Sequence, residues 1–360
     1  MQKSLQLNGC QPVKGYQGDT SESLFRQLYD SLSDRHLKGI RTRVSTLAPF
    51  SLPDRIAVSR SDLVVGECLG RGGFCEVRAV SSKDKNSDGY VIKQLKPTTS
   101  SERLRTAVTD LFVEARILAH CDHEHIVEFQ GYSKEGRLGY NGYPFSIIIE
   151  KIEETLDTRI DQWRDEISGE KQSGGRLGRL KPRNVAGGKK ERLVSQVKTA
   201  MEIARGLAYL HQNMILHRDL KPANIGFRDN KVKIFDFGLS RKLPGFDADG
   251  TYLMSFCGTK RYIAPEVLKY TYYGLKADVY SYAIVLNEML TLEKPFFASE
   301  SSWGSLQNGI IRGRKRPQTI GVPRQFLPIV KSAWKSDPKL RPSMENLAEV
   351  TEKIKDQLSK

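Results

Sequence analysis

"HRDLKPANIGF", His217–Phe227, sets an acid, a base and an amide in one short apolar stretch, and "FDFG", Phe235–Gly238, follows it closely. The residue types fit phosphate-transfer chemistry. Asp219 is spaced to accept the hydrogen of an incoming hydroxyl. Lys221 can neutralise charge growing on a transferred phosphoryl group. Asn224, through its amide oxygen, and Asp236, through a full negative charge, can ligate a hard divalent ion. Arg218 is a natural receptor for a phosphate on a nearby segment. His217 reads as packing support for the loop rather than as a base. Taken singly, Asp219, Asn224 and Asp236 read equally well as turn residues. Their joint occurrence asks whether the rest of such a site lies elsewhere in the chain.

Upstream, "LGRGGFCEV" (Leu69–Val77) lies between strand-like segments. Gly70 and Gly72 let a backbone approach closely, and exposed N–H groups there can hold phosphate oxygens. Alone, the loop is equally a hairpin turn. Lys93 follows in "VIK", where an ammonium can reach phosphates, and it needs an orienting carboxylate. Glu114, one position before Ala115 on the apolar face of an amphipathic stretch, is better placed for this than Glu102. The alternative is a surface salt bridge worth about 0–1 kcal/mol.

The chain has 360 residues, 39% of them hydrophobic, which suits one large domain with an extension or two associated lobes. Its cysteines, Cys10, Cys68, Cys75, Cys121 and Cys257, are odd in number and form no metal-like pairs. That pattern suggests a reducing compartment without disulfides. No stretch approaches the roughly 18–20 apolar residues that span a bilayer, and the first residues carry no run resembling a secretory signal. The expectation is a cytoplasmic protein with nuclear access left open. A net charge of +15 fits nucleic acid, membrane or acidic protein surfaces, or ordinary surface charge. No nucleic-acid signature accompanies it.

Residues 1–60 read as an extension with one short helical pattern, "SESLFRQLYDSL" (Ser21–Leu32). From about Leu63 the texture is strand-like, with "YVIKQL", "HIVEFQGY" and "FSIIIEKI" as further strands. "LRTAVTDLFVEARILAH" forms one helix, with Leu104, Val108, Leu111, Ala115 and Leu118 on its apolar face. Residues 159–192 hold ten Lys/Arg against five Asp/Glu with many glycines, and read as an exposed, flexible basic insert, centred on about 164–192. Helical patterns then dominate: "LVSQVKTAMEIARGLAYLHQ", "KADVYSYAIVLNEML", "QFLPIVKSAW" and "SMENLAEVTEKIKDQL". The predicted class is α+β in two unequal lobes, strands first (61–152, with one main helix) and helices second (153–358).

These motifs, "GRGGFCEV", "VIK", "HRDLKPAN", "DFG" and "APE" (Ala264–Glu266), with "DVYSYA" and "DPKLRP" further on, resemble those of the eukaryotic-type protein kinases from Leu63 to about Leu358. The resemblance implies the bilobal kinase fold, ATP and Mg2+ as cofactors, and transfer of the γ-phosphate to a protein hydroxyl. It implies that Leu69, Gly70, Gly72 and Val77 cover the nucleotide and that Val91 packs on adenine. Ile149 becomes the gatekeeper, with Glu150 and Ile152 offering backbone groups. Glu266 is expected to pair with Arg341, and Asp278 to hold the catalytic loop. Leu118, Phe129, His217 and Phe237 form a stacked spine. Lys221, two residues after Asp219, and "GTKRYIAPE", with Thr259 touching Asp219 and Lys221, mark serine/threonine acceptors. The hydrophobic texture is similar to the tyrosine-kinase-like branch. Residues 236–266 correspond to the activation segment. Ser255 stands where an activating phosphate from an upstream kinase or self-phosphorylation is expected, with Thr251 and Tyr252 as rivals. The other reading is a nucleotide-binding pseudokinase that acts as a scaffold through protein interactions.

Four positions depart from that family's pattern. Cys75 replaces the third loop glycine, Val91 the usual alanine, and Tyr280 the usual tryptophan. Gly226 stands where a bulky apolar residue normally lies under adenine. The expectation there is a lost floor contact that Gly226→Leu restores.

Overall fold

The structure is a computed structural model that describes residues 58–82, 85–96, 101–133, 145–173, 185–245, 250–296 and 302–358. The N-terminal helical pattern at Ser21–Leu32 and nearly all of the predicted extension lie outside them. The chain divides into two compact units. One comprises the described residues up to Asp122 together with those of Val127–Lys151 and Asp236–Arg241. The other comprises His123–Ile126, Ile152–Phe235 and the residues from Lys242 onward.

The first unit is built on β1 (Leu63–Arg71), β2 (Cys75–Ser82), β3 (Lys85–Leu95), β4 (Phe129–Ser133) and β5 (Ser146–Glu150). They form an antiparallel sheet in the order β1-β2-β3-β5-β4. The residue pattern explains the order. β5 carries Ile147, Ile148 and Ile149 in succession and is buried along its length, as suits an inner strand rich in β-branched residues. β1 alternates between more and less exposed positions, as suits a strand with one face packed and the other toward solvent. Val80, Ile92 and Ile148 form a core cluster on which Val58, Leu63, Val65 and Tyr90 pack. The β1–β2 register slips between Val65 and Gly70, and such irregularities bend and twist a strand. α1 (Ser101–Leu118) buries Val108, Leu111, Ala115 and Leu118, the predicted face at 3–4 residue spacing. The predicted strand "HIVEFQGY" becomes β4 only from Phe129, while Ile126 makes an isolated parallel bridge with Ile234.

The second unit contains β6 (Glu154–Thr155), α2 (Leu156–Ser173), α3 (Val185–Gln212), β7 (Ile215–Leu216), β8 (Ile225–Arg228) and β9 (Lys231–Ile234). α4 (Pro265–Leu268), α5 (Lys276–Thr291), α6 (Trp303–Ile311), α7 (Leu327–Ala333) and α8 (Met344–Leu358) follow. β6, β8 and β9 form a small antiparallel sheet. α5 is buried from Ala277 to Leu290, so its apolar residues fall on every face, with Asp278, Ser281, Asn287 and Glu288 as buried polar members. α8 places Met344, Leu347, Thr351 and Ile354 inward and packs on α3, with Arg205 of α3 2.6 Å from Glu352.

The predicted flexible insert is corrected here. Residues up to Ser173 continue α2, and α3 begins at Val185, so most of 159–192 is helical; residues 174–184 lie outside the described residues. The physical reason is twofold. Leu156, Ile160 and Trp163 recur at 3–4 residue spacing and are buried, and Arg164 donates to the Leu292 carbonyl at 3.0 Å. Glu, Lys, Arg and Gln are also good helix formers, so a charged stretch is not thereby a loop.

Candidate functional site

In the first unit, β3 places Lys93 opposite Val77 on one side and Ile147 on the other. Its Nζ donates to Glu114 Oε2 at 2.6 Å and to Asp236 Oδ1 at 2.9 Å. Glu114 is buried because it rides on the packed face of α1. Burial opposes the Lys93 charge, but the Glu114 and Asp236 carboxylates outweigh it and raise the pKa, so the ammonium stays protonated. Burial pushes the Glu114 carboxyl upward, and Lys93 acts against that shift. Asp236 is the exposed member of the trio and adopts a left-handed backbone (φ 65°), a conformation that aspartate tolerates better than most residues.

The glycine-rich turn closes through Gly72 N–H to Cys75 O at 2.8 Å, and Lys96 donates to the Gly72 carbonyl. A Cβ at Gly70 or Gly73 would meet nothing within 4 Å, so the backbone faces open space where a ligand can approach it. Leu69 is exposed on β1, Val77 is partly buried on β2 and Val91 is buried on β3. Cys75 is partly buried, and burial pushes its thiol up to about 12 against the opposing pull of Lys93. It is therefore a poor nucleophile near neutral pH. Ile149 and Glu150 are buried at the end of β5. The Glu150 amide donates to Glu128 O at 3.0 Å. Ile152, in the second unit, makes no hydrogen bond to any described residue.

In the second unit, the loop from His217 to Asn224 is suspended from Asp278 on α5. The amides of His217 and Arg218 donate to its Oδ2 and Oδ1 at 2.7 and 3.0 Å, and His211 Nε2 lies 3.3 Å from Oδ2. Burial alone would raise the Asp278 pKa. The hydrogen bonds from His211 and His217 reverse that and hold it below the usual aspartate range. This anchorage bears on a second feature: Arg218 has φ 72°, an unfavourable region for a long side chain, and its own amide is one of the two bonds.

Asp219 sits at the centre of the loop. Thr259 donates to its Oδ1 at 2.7 Å. Lys221 Nζ donates to its Oδ2 at 2.8 Å and to Thr259 Oγ1 at 3.0 Å. Asn224 Nδ2 donates to the Asp219 carbonyl at 2.9 Å and to Oδ2 at 3.1 Å. These bonds use the Asn224 amide nitrogen and none of them its side-chain oxygen. His217 Nε2 lies 3.2 Å from the Phe235 carbonyl, the supporting place expected of it.

Arg218 Nη2 donates to both the carbonyl (2.8 Å) and the hydroxyl (3.1 Å) of Ser255. Sequence reasoning missed Tyr273, whose hydroxyl donates to the same Ser255 carbonyl at 2.7 Å and whose ring lies 5.8 Å from the Arg218 guanidinium. Tyr252 and Tyr273 form an antiparallel bridge through both amides (2.9 and 3.1 Å), and the Tyr252 hydroxyl donates to Pro244 O. Glycine is required beside that bridge, since a Cβ at Gly274 would lie 2.2 Å from Gly250 O. Thr251 is exposed. No periodicity signals the partnership of Tyr273 with Ser255, because it joins two irregular segments.

Glu266 and Arg341 form the predicted pair as a buried fork, with both bonds at 2.7 Å. Tyr280 lies under two guanidinium groups, Arg316 at 5.4 Å and Arg341 at 5.2 Å from its ring, so the ring meets cations on its face. At Gly226 the expectation of a lost floor contact is overturned. A Cβ there would lie 2.3 Å from Ile152 Cγ2 and 3.1 Å from Phe235, so neighbouring side chains already fill the volume.

Residues 63–351 match the family described as protein kinase domain. The chain is 32% identical over 281 residues to mouse (Mus musculus) serine/threonine-protein kinase Nek11, covering 78% of this chain and 40% of that protein. It is 30% identical over 296 residues to serine/threonine-protein kinase VIK of Arabidopsis thaliana, covering 81% and 59%. Over 171 residues it is 36% identical to STY17 of the same plant, covering 45% and 27%. The chain thus spans less than two thirds of the length of each of these curated relatives.

Proposed function

The chain belongs to the protein kinase family, and from that premise we propose that it transfers the γ-phosphate of ATP to serine or threonine hydroxyls of protein substrates. The observation that carries this reading is the hydrogen-bond set on Asp219. A carboxylate held by Lys221, Asn224 and Thr259 is fixed in position, as a base for an incoming hydroxyl must be. Lys221 lies beside it to offset charge on the phosphoryl group. Lys93, fixed by Glu114, binds the α and β phosphates, and the turn bearing Gly70 and Gly72 covers them. Leu69, Val77 and Val91 contact the base and sugar. Backbone groups of Glu150 and Ile152 hold the adenine edge, and the unbonded Ile152 is suited to that.

The donor set fits magnesium. No three His, Cys, Asp or Glu side chains among the described residues are grouped to hold a metal by themselves. Magnesium typically takes only one or two protein oxygens and completes its shell with phosphates and water. Asn224 and Asp236 would supply those oxygens, and the bound ion would neutralise the phosphates.

Serine or threonine specificity rests on Lys221 and its bond to Thr259. No helix among the described residues is long and apolar enough to cross a membrane. Cys68, Cys75, Cys121 and Cys257 form no disulfide with one another, which supports a cytoplasmic setting, with nuclear access left open. Ser255 is the proposed acceptor of an activating phosphate, from an upstream kinase or the chain itself.

The test is transfer from labelled ATP with magnesium to a generic protein, with Asp219→Asn run in parallel. Transfer in the parent that disappears in the variant supports the assignment, and phosphoamino-acid analysis reads the acceptor. ATP binding without transfer in either protein would favour a scaffold instead.

A further inference from the structure

The stretch from Thr251 to Gly274 contains three basic side chains, Lys260, Arg261 and Lys269, and all three are exposed. Its one acidic residue, Glu266, is buried and bonded twice to Arg341. The outward charge of this stretch is therefore entirely positive. None of the three cations has a described carboxylate within ion-pair distance. Lys260 lies 5.2 Å from the ring centre of Trp303 at the start of α6, and Arg261 donates to the Pro295 carbonyl.

The same stretch exposes apolar side chains that the fold could have turned inward. The Tyr252–Tyr273 bridge sets Leu253 across from Tyr272, and these are 64% and 61% exposed. A little further along, Phe256 stacks on Tyr270 with ring centres 5.1 Å apart, and they are 36% and 65% exposed. Two apolar pairs in succession make a patch rather than scattered residues, and an exposed patch of this kind marks an interaction surface.

Position adds the next step. Thr259 touches Asp219, and Lys260 is its neighbour in the chain. A peptide whose hydroxyl reaches Asp219 passes this surface within a few residues, at about 3.3 Å per extended residue. The chain as a whole carries +15, so a second copy of it would meet this face with like charge.

We propose that the Leu253–Tyr272 and Phe256–Tyr270 pairs, together with Lys260, Arg261 and Lys269 of the same stretch, form the docking face for acceptor proteins, and that the segment it takes bears acidic side chains together with apolar ones. This rests on the kinase reading above. The carboxylates select the partner and speed encounter, and the aromatic pairs supply contact area.

The test uses the full chain, labelled ATP and four serine peptides that differ in the residues within three positions of the acceptor: acidic with aromatic, acidic with alanine, basic with aromatic, and neutral. The acidic-aromatic peptide should exceed the basic one about tenfold in kcat/KM, mostly through KM, and the advantage should shrink as salt rises. Lys260→Glu with Lys269→Glu should reverse the acidic-to-basic ratio, and Tyr270→Ala should remove the aromatic advantage alone. Lys260→Ala serves as the milder variant if the double exchange fails to fold. Equal transfer to all four peptides overturns the proposal while leaving the kinase reading standing. A preference for the basic peptide, or binding to anionic vesicles with no discrimination among peptides, overturns it as well. No transfer to any peptide by a protein that still binds ATP overturns the kinase reading beneath it.

Discussion

Arg218 and Ser255 are joined twice, since one guanidinium nitrogen donates to both the carbonyl and the hydroxyl of the serine. The carbonyl contact, shared with Tyr273, needs no modification. The hydroxyl contact is the one that a phosphate would strengthen, because the guanidinium would then meet an anionic acceptor with three oxygens in place of a neutral hydroxyl.

Two levels of activity follow from that division. Ser255→Ala should abolish the increment that phosphorylation gives, about tenfold in rate, and leave the basal rate near the parent's unphosphorylated value. Tyr273→Phe should lower the basal rate, because it removes an anchor present before any phosphate. Mass spectrometry of the incubated protein beside initial rates reads both. Phosphate found on Thr251 or Tyr252, with Ser255→Ala fully active, would transfer the role to those residues.

Gly226→Leu is expected to weaken the protein rather than tighten nucleotide binding. Even Gly226→Ala forces Ile152 or Phe235 to move, and overpacking of this kind costs about 1–3 kcal/mol. Ile152→Ala should relieve part of the penalty, so the two changes should be non-additive in denaturant unfolding. Tighter ATP binding in Gly226→Leu with unchanged stability would contradict this account.

Asp278 makes acid stability measurable. Its folded pKa lies below the usual aspartate value of about 3.9, so its contribution is complete above that value and is lost as pH falls through the folded one. Asp278→Asn should cost about 3 kcal/mol at neutral pH and flatten the acid limb below about pH 4. Urea unfolding at several pH values checks both parts.

Lys93→Met should expose the converse behaviour in Glu114. Without the ammonium, the buried carboxyl loses what opposes its raised pKa and takes up a proton. A raised pKa stabilises below the unfolded value and loses that contribution as pH rises. The variant should therefore be destabilised more at pH 7 than near pH 4.5, again by urea unfolding.

The sequence showed most clearly those parts of the molecule that are contiguous or periodic. Asp219, Lys221 and Asn224 fall within one loop, and the face of α1 that carries Glu114 follows the helical period. Three things stayed hidden. α2 was masked by its charge, because composition over a window says little when two or three buried residues, here Ile160 and Trp163, fix the helix. The filling at Gly226 depends on where Ile152 and Phe235 point, which no pattern states. The link of Tyr273 to Ser255 joins two segments without period, so only the folded chain brings them together.

The bonds on Asp219 carry one further consequence. An ionised carboxylate has about four lone-pair directions. Thr259 occupies one on Oδ1, and Lys221 and Asn224 occupy two on Oδ2. One direction is left, so a single hydroxyl at a time can use it, and a substrate oxygen and a water molecule are mutually exclusive there. On the proposed reading of Asp219 as the base, discrimination against hydrolysis would be set in part by simple occupancy: the acceptor that fills the last direction would leave solvent no place from which to be activated.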